Sequence, residues 1–597
     1  MSARLRRRVD GDEGAALVLV LGTMVILTMF ALTSLGLVMG AMKPTRVDQD
    51  SKRAFAAAQA GVDDFIARSN SNDTYYKNVA TDTSNLAIAP TPAAPRGATV
   101  PGSRVNDQTF RYRMLSSVTE VAQTGTIRLE VTGYATNKSD VVSRKVIANL
   151  RPDSFLNYIY VTNYEVQDPE LYANRLGLFY ATLNNQLYLF YANPYQVKTQ
   201  CQDYYYGNRK NARWRVNPTN PNTSLWRVPA NSNGTPIAGV NPSEYTGGSF
   251  SGNVYDFNCQ EIQWTGGDIV QGPLHSNDAL QINGAVRFQD IKTETSWNTN
   301  PANGHLWWGG YTNDLPDNQP VYEAPLVMPS DNSELQTVAT TSDGCTYSGA
   351  TRITLVGNKM QVWSPGTTVA AANANGATCL SSNRTDLLNV PKVIFVKDRA
   401  TSCSPGVVNG TTGVGFPLTA LGENPTYGRY NPDFSCDKGD VYVQGTFSGA
   451  TTIAASHDVV ITGDIRYASG VTGTDVLGLI ANRNAWVYHP VDGSGENLSG
   501  FTPVYNINAA ILTLQNSFLV QNYDLGDNLS PTNAVATKLN VVGSIAQQFR
   551  GPVGTGGSPG TGYLKNYVWD SRLPANPPPF FIKPVSSPWY LEKLTDS

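Results

Sequence analysis

The chain has 597 residues, too many for one ordinary hydrophobic core, so two or more folded units are expected. Charged residues make up 15% of it and the formal net charge is −3, which leaves no basic surplus of the kind a dedicated nucleic-acid-binding domain shows. Abundant Gly (53), Pro (36) and Tyr (30) favour turn-rich β structure over helical bundles.

The first fourteen residues form a basic leader with Arg4, Arg6, Arg7 and Arg8. From Ala15 to Met42 no residue is charged. At about 1.5 Å per residue that run is long enough to cross a hydrocarbon core. The arginines ahead of it place Met1 in the cytoplasm and the rest of the chain outside. The segment is too long for a cleaved secretory signal. An amphipathic stem follows, in which Phe55, Ala58, Val62 and Phe65 fall at helical steps, so residues 15–68 read as a transmembrane and stem helix.

The stretches DEGAALVLVLGTMVILTMFALTSLG and AFAAAQAGVDDFI resemble the N-terminal segment of PilX-type and related type IV pilus assembly proteins. The resemblance covers about the first 70 residues. It implies cleavage by a prepilin peptidase after Gly14, leaving Ala15 as the new N-terminus. It further implies passage from the bacterial inner membrane to a pilus or the cell surface. Other pilin subunits and the pilus assembly machinery are the implied partners. Major pilins carry Glu five residues into the mature chain; Leu19 stands there, which points away from a bulk filament subunit and towards a minor one. Gly22, Gly36 and Gly40 would let neighbouring helices approach closely.

Residues 69–155 read as a polar loop followed by three short strands, at Phe110–Ser117, Thr126–Thr132 and Val141–Leu150. With the stem this gives an α+β pilin-like part: a long helix and an antiparallel sheet. Residues 156–260 are aromatic-rich, with Tyr158, Tyr160, Tyr164, Tyr180, Tyr188 and Tyr191 among them. Packing is the expected role of these rings, and a sugar- or partner-binding face the alternative.

From 261 to 545, short β-branched segments alternate with Gly and Asn turns, as in KGDVYVQGTFSGATTIAASHDVVITGDIRYA (Lys438–Ala468). That pattern predicts a mainly-β domain built as a β-solenoid, or β-helix. Residues 546–597 are dense in Gly and Pro and read as a loop region.

Six cysteines, all central, on an exported chain suggest disulfides. Pairing Cys201 with Cys259, Cys345 with Cys379 and Cys403 with Cys436 closes the shortest loops.

No recognisable catalytic, cofactor or zinc motif is present. GPVGTGGSPGTGYLK (Gly551–Lys565) lacks the Gly-Lys-Ser/Thr of a nucleotide loop. His275 beside Asn277 and Asp278 has no metal-motif spacing. Asp437, Asp440, Asp458 and Asp464 sit near turns, where exposed aspartates that cap and turn the chain locally are a commoner explanation than catalysis. A non-enzymatic displayed structural protein is therefore the expectation. The alternatives are a tip-located binding module for a surface, glycan or DNA, with Arg209, Lys210, Arg213 and Arg215 as the best basic cluster, and a β-helix polysaccharide-acting enzyme using the turn aspartates.

Overall fold

The computed structural model describes residues 13–72, 74–137, 140–172, 177–193, 197–198, 213–216, 225–233, 237, 243–245, 255–259, 262–289, 292–296, 307–308, 321–400, 413–427, 430–532, 534–555, 560–585 and 587–596. It divides into two units. Unit 1 comprises Met1–Val118, Thr126–Arg151 and Pro588–Ser597; unit 2 comprises Thr119–Gly125 and Pro152–Ser587. In sequence, most of unit 2 is inserted between the last two strands of unit 1.

Unit 1 is a long helix on an antiparallel sheet. The apolar segment and the stem form one helix, α1 (Glu13–Ser71). The sheet contains β1 (Ala98–Thr99), β2 (Gln108–Met114), β3 (Ile127–Asn137) and β4 (Asp140–Pro152), and its order ends with the C-terminal strand Trp589–Asp596 beside β4. In β3, Leu129, Val131 and Ala135 point inward and are fully buried, alternating with half-exposed neighbours.

Small residues let α1 close onto β3. Ala54, Ala57 and Ala58 are fully buried. A Cβ on Gly133 would lie 2.1 Å from the Ala54 carbonyl oxygen and 2.2 Å from the Ala58 nitrogen, and one on Gly61 would lie 2.7 Å from Val131 Cγ1. The small residues of AFAAAQAG therefore set the helix-to-sheet distance. Phe65, also fully buried, packs edge-on against Tyr75 and Tyr112.

Unit 2 is a large, mostly β region of mixed sheets. Its longest ladder is parallel and runs from Gly344–Ser348 through Val393–Lys397, Ala450–Ala455, Val476–Ala481 and Asn506–Thr513 to Leu539–Phe549. It then continues, out of sequence order, through Tyr160–Tyr164, Leu274–Ser276 and Thr293–Thr295 to Val321–Tyr322. A second parallel ladder joins Thr351–Gly357, Val441–Phe447, Val459–Tyr467, Ala485–Val487 and Phe518–Val520. A third joins Leu539–Phe549 to Lys565–Trp569, Ile269–Gln271 and Arg287–Phe288. Antiparallel pairing enters through the hairpin Thr351–Gly357 with Lys359–Trp363.

The register stacks like on like. Ile394, Ile453, Leu479, Ile511, Ile545 and Tyr160 are successive partners in the long ladder and lie in one core cluster. Their neighbours Phe395, Ala454, Ile480, Leu512, Ala546 and Val161 face the other way, into a second cluster with Leu326, Leu335 and Phe581. Strands buried on both faces read as continuous apolar runs rather than alternating ones. Gly445 takes φ +119° at a bulge where a Cβ would lie 2.2 Å from the Leu355 carbonyl oxygen.

The chain closes on itself at one seam. The last strands of unit 2, Leu539–Phe549 and Lys565–Trp569, pair with two from its first half, Tyr160–Tyr164 and Ile269–Gln271. Between Tyr322 and Gly344 the chain must return from one end of the long ladder to the other. It is held on the way by Asn277, whose side chain bonds both the amide and the carbonyl of Leu326 at 2.9 Å, by Gln515 on the Ser330 carbonyl at 3.0 Å, and by Asn332 on the Ala455 carbonyl at 2.7 Å.

Two regional expectations change. Residues 546–597, expected as loop, supply the strands Lys565–Trp569 and Trp589–Asp596. The Gly and Pro there mark the turns, while the strands between them find partners far away in sequence. Residues 156–260 contain an antiparallel sheet of Gly177–Leu183, Gln186–Ala192, Leu225–Ala230 and Ser243–Tyr245. Tyr158, Tyr160 and Tyr191 are buried and Tyr180 is exposed; Tyr204, Tyr205 and Tyr206 lie outside the described residues.

Candidate functional site

Two places concentrate functional residues: the head of α1 and a buried polar corner of unit 2. From Leu17 to Gly36, α1 presents 20 residues of mean hydropathy 2.3, none of that window buried within the chain. By length and composition it could cross a membrane. Phe30 is 71% exposed and Leu19 is 69% exposed. A Cβ built on Gly22 or Gly36 would meet nothing within 4 Å, so the chain itself makes no use of their small size. Gly14, Ala15 and Gly40 also lie on α1.

In unit 2, Asp440, His457 and Asp458 are buried, and their potential ligand atoms lie within 4.8 Å of one another. The hydrogen bonds show what holds them. Asp440 Oδ1 accepts from the Asp458 amide at 3.0 Å, Asp458 Oδ1 from the Asn484 amide at 2.9 Å, and Asn484 Oδ1 from the Ser517 amide at 3.2 Å. Each of these residues immediately precedes a strand of the second ladder, so the acceptors climb from one pass of the chain to the next. Asp458 Oδ2 also accepts from Trp486 Nε1 at 2.8 Å. The acids thus satisfy backbone donors of the following pass, not of their own turn.

His457 Nδ1 lies 2.6 Å from Asp440 Oδ1, and Arg483 Nη1 lies 3.1 Å from His457 Nε2. Burial works against the imidazolium, but Asp458 and Asp440 outweigh it and raise His457 to about 9. Arg483 continues to Glu170 at 2.9 Å, and Glu170 also takes Lys198 at 3.3 Å. With a guanidinium on its open side, the cluster is arranged to neutralise charge rather than to hold a cation.

A parallel arrangement serves Asp464. Its Oδ1 accepts from the amides of Tyr505 and Asn506 at 2.8 and 2.9 Å. Further along, Asn566 Nδ2 donates to Asn540 Oδ1 at 2.8 Å and Gln271 Nε2 to Asn566 Oδ1 at 3.0 Å. Asp437 lies apart from these and bonds Ser435.

The remaining sequence candidates disperse. His275 bonds Asn277 at 2.9 Å and Glu294 at 3.2 Å, and Asn277 anchors the returning segment, so GPLHSND is a structural junction. In the Gly-rich run, Gly554 bridges Gly562 antiparallel, with no helix opening after it. Arg213 and Arg215 lie on the strand Arg213–Val216, while Arg209 and Lys210 fall outside the described residues. Cys345 and Cys379 form a disulfide. Cys259 and Cys436 are disulfide-bonded as well; Cys201 and Cys403 lie outside the described residues.

Asn484, Arg483 and Glu170 were not singled out from the sequence. A signal existed: KGDVYV, SHDVVI, NRNAWV and QNSFLV each place Asp, Asn or Ser before a three-residue apolar run. Their separations of 18, 26 and 33 residues hide the repeat.

No family model matches the chain. No curated protein matches it either. Among solved structures it is similar to the competence-associated pilin ComZ from Thermus thermophilus, at 12% identity over 92% of this chain and 97% of that one, with a TM-score of 0.16. A superposition that loose carries no argument, and the functional reading rests on the residues above.

Proposed function

We propose that the chain is a non-enzymatic minor pilin or pilin-like surface protein of the PilX type. A prepilin peptidase cleaves it after Gly14. The head of α1 holds it in the inner membrane and then packs against other pilin helices during pilus assembly. Unit 2 is displayed outside the cell, and its stacked parallel ladders are read as the coils of a β-solenoid.

The observation that carries this reading is the division of one helix into two halves of opposite fate. Leu17–Gly36 is apolar and exposed, whereas Ala54, Ala57, Ala58 and Phe65 are fully buried against the sheet of unit 1. A helix built for one folded unit alone would not leave 20 apolar residues uncovered. Open glycines on that exposed half suit close packing with further helices.

The test is to shear surface filaments from the producing cell, separate them from the membrane fraction and sequence the N-terminus of the protein in each. A mature chain beginning at Ala15 and present in filaments is expected. A chain that begins at Met1 and stays in the membrane fraction would exclude the proposal.

A further inference from the structure

The seam of unit 2 holds a lysine and an aspartate in an unusual setting. Asp268 immediately precedes the strand Ile269–Gln271 and Lys565 begins its parallel neighbour Lys565–Trp569, so each stands one residue ahead of the partner pair Ile269 and Asn566. Lys565 Nζ donates to Asp268 Oδ2 at 2.8 Å, with the two side chains 10% and 1% exposed. The Lys565 amide also donates to Asp268 Oδ1, at 3.3 Å. The carboxylate is therefore fixed from both ends while the amine is delivered to it.

The walls are aromatic and buried. Trp264 is fully buried, with the Lys565 ammonium 5.5 Å from its ring centroid and the Arg550 guanidinium 4.1 Å away. Tyr567 and Phe288, both nearly fully buried, pack around the same indole. Arg550 Nη1 binds Glu165 at 2.6 Å, while its Nη2 is buried without a hydrogen-bond partner. Burial, with Arg550 adding to it, lowers the Lys565 pKa despite the opposing pull of Asp268. An ion pair in such surroundings is a costly way to hold two strands together, and a neutral linkage would remove both charges.

The geometry points to Lys565 and Asp268 as the site of an intramolecular isopeptide bond, formed by the folded chain itself. One proton passing along the 2.8 Å bond converts the ion pair into a neutral amine and a neutral carboxyl. Nζ then attacks Cγ of Asp268, the Nζ–Cγ bond forms, and the bond from Cγ to Oδ2 breaks. Of the three ammonium protons one stays on the amide nitrogen, and two leave with the oxygen as water. No oxidant, activated ester or second enzyme is required. The Arg550 guanidinium, on the same Trp264 indole, interacts electrostatically with Asp268 and would favour the negative charge that develops on its carboxyl oxygen, the more so in a buried aromatic setting. The linkage would fasten positions 297 residues apart, where the last strand of unit 2 meets Ile269–Gln271 from its first half.

Peptide mapping of the full chain, unfolded and with its disulfides reduced, tests this. Trypsin should leave Lys565 uncut and yield the fragment 228–287 joined to 551–572, lighter than the two together by one water. The Lys565→Met variant should lack the joined fragment, while a parallel digest without reduction should keep the Cys345–Cys379 disulfide, which reports that unit 2 has folded. Recovery of 228–287 as a free fragment from the wild type, with cleavage after Lys565, would overturn the proposal, as would a joined fragment that persists in Lys565→Met.

Discussion

Unit 1 and unit 2 reach a buried core by opposite routes. In unit 1, β2, β3 and β4 follow one another and pair antiparallel, and α1 closes over them through Ala54, Ala58, Gly61 and Gly133. In unit 2, neighbouring strands of a ladder come from different passes of the chain, and the seam joins its beginning to its end. The first arrangement is specified by a few close contacts between small residues. The second is specified by polar side chains repeated from pass to pass, such as Asp440, Asp458 and Asn484. A single substitution should therefore act locally and strongly in unit 1, and in unit 2 through loss of register between successive passes of the chain.

The sharpest test of that contrast is Gly133→Val. Its branched side chain must enter the backbone of α1, and overpacking of this kind costs about 3 kcal/mol or more. Hydrogen exchange should rise across β2 and β3 while strands such as Ala450–Ala455 keep their protection. Replacing Cys345 and Cys379 together by Ala should do the reverse. Opening a loop with sequence separation 34 costs about 3 kcal/mol, read as a lower unfolding midpoint of unit 2 alone.

Asp458→Ala removes the acceptor for both the Asn484 amide and Trp486 Nε1. A loss of about 2 kcal/mol is expected, with a change in tryptophan fluorescence. Asp458→Asn should retain much of the stability, because one side-chain oxygen survives.

The pH dependence of unit 2 should follow His457. Its folded pKa, about 9, lies above the ordinary histidine value of 6.5, so its contribution is complete below about pH 6.5 and is lost as pH rises through 9. Stability measured across that window should fall for the wild type and fall less for His457→Gln. The smallest effect on folding belongs to Gly36→Leu. No neighbour lies within 4 Å, so the stability of unit 1 should be unchanged, while recovery in sheared filaments drops.

Much of unit 1 was legible because its signals are local. An uncharged run of the right length reads directly as an apolar helix, and alternation in TIRLEVT reads directly as a strand with one buried face. The purpose of AFAAAQAG was only half legible. Helical spacing identifies the stem, but the need for small residues at Ala54 and Ala58 depends on Gly133, which lies beyond a long loop. In unit 2 the strands could be recognised as short apolar runs between turns, but the aspartates, expected as exposed caps of their own turns, are buried at Asp440 and Asp458. Which backbone they serve could not be read, since the amide bonded by Asp440 belongs to a pass 18 residues later and that bonded by Asn484 to one 33 residues later.

What the sequence by itself determined, then, is the division of labour at the N-terminus: a basic stretch, an apolar helix and a stem, each set by the composition of consecutive residues. Only the tertiary structure decided that Trp589–Asp596 completes the sheet of unit 1, that Lys565 meets Asp268, and that Asp440 and Asp458 hold neighbouring parallel strands in register. The physical reason is the range of the contacts. Hydrophobic length and helical periodicity act over a few residues, whereas parallel pairing and seam closure join groups whose separation in the chain leaves no periodic trace.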